Sequence, residues 1–249
     1  MSQHADNLSE VPKALLRSYP ETWHLRVYPT RRSASYPDWV YAAVKQNAST
    51  AKVVRKGEGG VVGANVSSPF PIPQSGVEVV WNHNLRWRGI RISRTFGQAA
   101  VTRKGRYNVT LALQDWAFPY AAPPGAPLRA KFPNMLLALK SKTIQPGLLS
   151  GDGLLALEPI DQTADPRKTW RYSQALRRVL RLPNVAHECP AFNTDNLRTI
   201  DEFDMFNGSP ERFEWRLLGK RELHIPYNAY RIHGSDAGYG DIIKTRHIN

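Results

Sequence analysis

Apolar residues recur along the chain first at helical spacing and then at every second position, and the change falls at Gly89. Leu8, Val11 and Leu15 share one face of a short helix over residues 8–18, with Ser9 as its cap and Pro12 in the tolerant first turn. Pro20 stops it. A second helix starts near Ser35: Pro37 and Asp38 suit a first turn, and Trp39, Val40, Ala43 and Val44 form an apolar stripe that fades by Ala48. Gly57, Gly59, Gly60 and Gly63 then mark a turn region. Pro69, Pro71 and Pro73 lack an amide donor and fix φ, which predicts an extended strap with Phe70 and Ile72 as its anchors and excludes a central strand. Ser75 and Glu78 have capping-box spacing. They open a helix whose buried face is Val77, Trp81 and Leu85 and which ends at Gly89.

From there the period is two. Ile90, Ile92 and Phe96 alternate with polar residues, Lys104 and Gly105 supply a hairpin turn, and Tyr107, Val109, Leu111 and Leu113 point to one face of the returning strand. Trp116 and Phe118 sit on the opposite parity, which predicts a bulge near Asp115 and a sheet that curls. Further strands are expected at Met135–Thr143, Leu154–Leu157, Thr169–Tyr172, Val179–Leu182 and Phe203–Phe206. A last hairpin pairs Phe213, Trp215 and Leu217 with Leu223, Ile225 and Tyr227 across Gly219 and Lys220. The prolines between Pro119 and Pro133 read as a long surface loop. The sum is a mainly β, α+β chain: a strongly curved antiparallel sheet wrapped around a few helices.

Composition adds a charge asymmetry. With 34 Lys and Arg against 21 Asp and Glu, the formal net charge is +13, which favours anionic partners. The basic residues are bunched: Arg86 to Arg106 holds seven without an acid, and Arg167 to Arg181 holds six more. No run approaches the roughly 18 apolar residues of a membrane helix, and the first residues lack the features of a secretory signal. A single cysteine, Cys189, excludes an internal disulfide.

Catalytic signatures are missing. The histidines at 24, 83, 187, 224 and 233 have no metal-site spacing, and no nucleophile elbow, dinucleotide fingerprint or phosphate loop occurs. Asp201, Glu202 and Asp204 read as a strand's solvent face beside inward Phe203 and Met205. No enzyme and no cofactor are expected, although a hydrolase without a recognisable motif is an alternative. Arginines among aromatics also suit a single-stranded nucleic-acid or anionic-surface binding module. Here, however, the two residue types fall on opposite parities, as in any half-buried sheet, so nucleic acid is not the expected partner.

Four stretches carry a resemblance: RRSASYPDWVY (31–41), PFPIPQSGVEVVWNHNLRWRG (69–89), DPRKTWRYSQALRRVLRLP (165–183) and FNGSPERFEWRLLGKRELHIPYNAYRIH (206–233). Together they resemble a proteobacterial family of unknown function, itself similar to outer-membrane lipoprotein-sorting proteins of the LolA/LolB-like carrier type. Trp170, Tyr172 and the run Arg177, Arg178, Val179 carry the second likeness.

That resemblance implies an unclosed antiparallel half-barrel with helices on its concave side, located in the periplasm or on the periplasmic face of the outer membrane. It also implies a single, incomplete domain over 1–249, shortened at both ends, with a mostly helical segment 1–50 followed by strap, helix and sheet over 51–249. Its expected function is non-enzymatic binding or transport of a lipophilic cargo, a lipid or lipoprotein acyl chain, with an exporter of the resistance-nodulation-division type or an outer-membrane component as partner. The candidate cavity residues are Trp81, Phe96, Trp116, Phe118, Trp170, Tyr172 and Trp215. Candidate headgroup or membrane contacts are Arg167, Arg171, Arg177, Arg178 and Arg181.

Overall fold

The computed structural model describes residues 4–183, 185, 187–232, 234, 236 and 238–244; His233 and the terminal Thr245–Asn249 lie outside the described residues. The chain divides into two compact units, Met1–Ser35 with Leu218–Asn249, and Tyr36–Leu217.

The first unit contains helix α1 (Glu10–Ser18), with Ser9 in an extended conformation at its N-cap. Glu10 pairs with Lys13 one turn on, at 2.9 Å. Leu8 is buried, the ring of His4 meets that of His224 edge-on, and the amide of His224 donates to the carbonyl of Asn7 at 2.8 Å. The amides of Ser33 and Ala34 both donate to the phenol oxygen of Tyr227.

The second unit begins with α2 (Asp38–Thr50) and a two-stranded ribbon of β1 (Lys52–Val53) and β2 (Val61–Val62). The prolines then keep residues 69–73 out of any sheet. Side-chain amides replace the missing ladder. Asn82 accepts from the amide of Phe70 at 2.8 Å and donates to its carbonyl at 2.6 Å, and buried Asn47 brackets Asn65 in the same way. Phe70 packs on the core, whereas Ile72, expected as the second anchor, is 79% exposed.

Helix α3 (Gly76–Asn84) starts on half of the expected box: the Glu78 amide donates to Ser75 Oγ, but the Glu78 carboxylate accepts from the amide of Gln74 rather than that of Ser75. Gly76 is required here, because a Cβ would lie 2.5 Å from the carbonyl carbon of Trp215. Trp81 and Leu85 are buried and Val77 packs beside them.

Six strands follow as an antiparallel meander in sequence order, with β3 (Arg91–Val101) and β8 (Arg178–Leu182) at open edges. Between them run β4 (Tyr107–Ala117), β5 (Met135–Gln145), β6 (Gly153–Pro159) and β7 (Lys168–Ser173). The fold is therefore a mainly antiparallel β sheet, not closed, with a few helices.

Four expectations are corrected. The register between β4 and β5 shifts at Leu111/Ala112, not at Asp115, with the extra residue, Ile144, on β5, and the buried parity of β4 runs unbroken from Ala112 through Gln114 to Trp116. Tyr107, Val109, Leu111 and Leu113 thus point to the sheet's outer face. Residues 203–206 form turns rather than a strand, because Asp204 and Met205 sit at positive φ, which no strand accommodates; Asp204 is half-buried in ion pairs, not on a solvent face. The Phe213–Tyr227 hairpin does not form. Its halves lie in different units, and Phe213 and Trp215 cluster instead with Phe206. Finally, the proline-rich segment is not all surface: Pro119, Tyr120, Ala121 and Ala122 are buried, and Pro127–Lys131 forms the short helix α4. The phenol of Tyr120 donates to the Ser67 carbonyl at 2.8 Å, and burial pushes its pKa up.

Candidate functional site

Register decides what the inner face of the sheet presents. One row across the strands reads Ile92, Trp116, Leu139, Ala156, Thr169; the next reads Arg94, Gln114, Ser141, Leu154, Arg171; a third starts Phe96, Ala112, Thr143. Large side chains stand on β3 and at the Trp116 end of β4. In the middle, Ala112, Ser141, Thr143 and Ala156 are short. Short side chains beside long ones leave space that neighbouring atoms cannot fill.

At one end of the face the space is filled. Trp81 of α3 and Leu85 at its C-cap pack with Trp116, Phe118, Leu136 and Leu137 into one cluster, and the indole N–H of Trp81 donates to the Gly57 carbonyl at 3.2 Å. Trp116 is stacked between Phe118 and Phe203, at 6.1 Å and 5.7 Å. At the other end lies a cavity of about 280 Å³ over the short residues, roofed by segment 191–207.

Charges line its polar side. Glu158 and Arg167 face each other at 2.9 Å with both side chains 7% exposed, and Arg167 also donates to Asn207 at 2.6 Å. Arg86 and Arg88 both hold the Asp204 carboxylate, at 2.6 Å and 2.5 Å. Arg171 pairs with Asp152 at 2.7 Å. Arg198 lies over the Phe203 ring at 5.1 Å and donates to Gln98. Burial pulls the pKa of Arg88, Arg94 and Arg198 below the ordinary arginine value. Among described residues no group of three or more His, Cys, Asp or Glu is placed to hold a metal ion.

His83 props the roof. Its Nε2 lies 2.8 Å from the Asp204 carbonyl and 3.2 Å from that of Phe206, so that nitrogen carries the proton. Burial, with the Arg86 guanidinium alongside, lowers its pKa.

Of the residues singled out from sequence, Phe96, Trp116, Arg167 and Arg171 line the cavity. Trp81 and Phe118 belong to the filled end. Trp170 and Tyr172 stand on the outer face, opposite Leu155 and Gly153 of β6. Trp215 packs against Phe206 at 5.0 Å and donates to the Pro210 carbonyl at 2.9 Å. Arg177 occupies the β7–β8 turn at positive φ, and Arg178 and Arg181 are exposed on the edge strand. Glu158, Thr169, Arg88 and Gln114 were not anticipated. The available signal was a lone acid, Glu158, directly after the apolar run Leu154–Leu157, and polar residues at the inward parity of β4 and β7.

The fold is thus a β-rich protein with an open antiparallel sheet and, on one face of it, a part-apolar, part-charged cavity. The chain belongs to the family described as "Protein of unknown function (DUF1329)", whose model matches residues 1–249. It is 38% identical to the uncharacterised protein PA3922 of Pseudomonas aeruginosa over 249 residues, all of this chain and 54% of the relative. The chain thus spans about half the length of that curated relative. No solved structure matches it.

Proposed function

We propose that the protein is a non-enzymatic binder or carrier of a lipophilic cargo, such as the acyl chain of a lipid or lipoprotein, held against the inner face of the sheet. The observation that carries this reading is the cavity of about 280 Å³ walled by Leu136, Leu137, Leu139, Phe96 and Trp116, left open by short residues in mid-sheet. Each methylene buried there contributes about 0.8 kcal/mol, so binding requires no reacting group. The open six-stranded sheet with α3 on its inner face fits a half-barrel carrier. In this reading the protein works on the periplasmic side of a Gram-negative envelope, with a resistance-nodulation-division type exporter or an outer-membrane component handing over or receiving the cargo.

The test is native mass spectrometry of delipidated protein with C12 to C18 fatty acids and a triacylated lipopeptide. One-to-one complexes are expected. No uptake of any of them rejects the carrier reading.

A further inference from the structure

The polar end of the cavity holds more hydrogen-bond donors than the protein uses. Thr169 is 2% exposed, yet its Oγ1 has no hydrogen-bond partner among the described residues. The same is true of the buried Nε of Arg167 and the buried Nε of Arg88. All three residues line the cavity. Buried polar atoms in a native fold are nearly always paired, and an orphan asks for a missing partner. Three in one wall ask for the same one.

Their placement makes them converge. Arg167 directly precedes β7, Thr169 is the second residue of that strand, paired with Ala156 of β6, and both line the cavity. Arg88 comes from the segment after α3 and lies within the field of Glu158, the carboxylate that Arg167 holds. The charges leave a surplus: Asp204, Glu158 and Asp152 pair with Arg88, Arg167 and Arg171, while Arg198 has no carboxylate at ion-pair distance among the described residues. Arg86 adds a second cation on Asp204. Donors without acceptors, in a cationic wall beside Leu137, Leu139 and Ala156, fit a ligand with an oxyanion at one end and hydrocarbon at the other.

We infer that the cavity recognises a single-chain anionic amphiphile, with its carboxylate or phosphate oxygens on Arg88, Arg167 and Thr169 and its chain over the leucines of β5. This rests on the lipophilic-cargo reading and narrows it: the preferred cargo has a free anionic head, not an esterified or amide-linked one.

The test measures displacement of the neutral fluorescent probe N-phenyl-1-naphthylamine from delipidated protein at pH 8 by laurate, by 1-dodecanol and by inorganic phosphate. Laurate should displace it at concentrations at least tenfold lower than dodecanol, and phosphate should not. Thr169→Val should shrink that preference about three-fold or more, leave dodecanol unchanged and not lower the melting temperature, because the hydroxyl removed has no partner. Arg167→Met should bring the preference close to one.

Equal displacement by laurate and dodecanol in the wild type overturns the anionic-head inference and leaves the carrier reading standing. Displacement by neither overturns both. Phosphate as effective as laurate shows a site for a free anion and overturns the amphiphile. A Thr169→Val protein that keeps the full preference removes the hydroxyl from the site, whether or not Arg167→Met folds.

Discussion

The two faces of the six-stranded sheet carry their apolar side chains in opposite ways. On the inner face they are gathered at one end, where Trp81, Trp116, Phe118 and Leu136 fill the core, and give way to Gln114, Ser141, Thr143 and Thr169 over the cavity. On the outer face they are strung along the strands: Leu113 is 48% exposed and Val179 65%, with Tyr107, Ile144 and Leu155 also open. A face rich in apolar residues is thus not the face that is buried. What decides is the covering. Helix α3 and segment 191–207 lie over the inner face, and polar groups beneath them must be paired or meet a ligand.

The largest way to break this contrast is at its filled end. Trp81→Ala should cost about 3–5 kcal/mol of unfolding free energy, from lost burial and the cavity left behind. Trp170→Ala on the outer face should cost well under half as much. Urea denaturation of both variants reads the difference, and equal costs would mean that the two faces share the core. Next is the buried ion pair. Arg167→Met alone should lose about 3 kcal/mol by stranding Glu158, whereas Glu158→Leu with Arg167→Met should return to within about 1 kcal/mol of the parent. A double variant no better than the single one would show that the pair supports the fold itself.

His83 sharpens the picture of the roof. Its folded pKa lies below the ordinary value of 6.5, so folding favours the neutral ring. Stability should be constant above about pH 6.5 and fall as the pH drops through the folded pKa, where protonation sets a cation beside Arg86. His83→Asn should flatten the profile between pH 7 and 5 in thermal melts; an unchanged profile assigns the pH dependence elsewhere. The smallest effect belongs to the outer face, where Leu113→Lys should stay within about 0.5 kcal/mol. A larger loss would show that this face is covered in solution.

Much of the framework could be read from the residues, because the signals are local. The Ser75–Glu78 box, the prolines that bar residues 69–73 from a sheet, and the Lys104–Gly105 turn each depend on neighbours a few positions away. The site was less legible for two physical reasons. Alternation separates a strand's faces without saying which is inward, so the run Tyr107–Leu113 read as core and its polar parity as solvent, the reverse of what register and burial show. The roof has no period at all: Asn193, Asp195, Asn196, Asp204 and Met205 sit at positive φ, and their course is set by contacts such as His83 with the Asp204 carbonyl. Phe96, Trp116, Arg167 and Arg171 were picked out by residue type. That they share one cavity depends on pairings between strands far apart in sequence.

The central claim is that a guest occupies the inner face and not the outer one, and each face has its own tryptophan to report on it: Trp116 in the cavity wall and Trp170 opposite Leu155 outside. Quenching of tryptophan fluorescence by 9,10-dibromostearate, a short-range contact quencher, distinguishes them. The account predicts saturable one-to-one quenching that is mostly lost in Trp116→Phe and kept in Trp170→Phe. Quenching that survives in Trp116→Phe and disappears in Trp170→Phe would place the acyl chain on the outer face and contradict it.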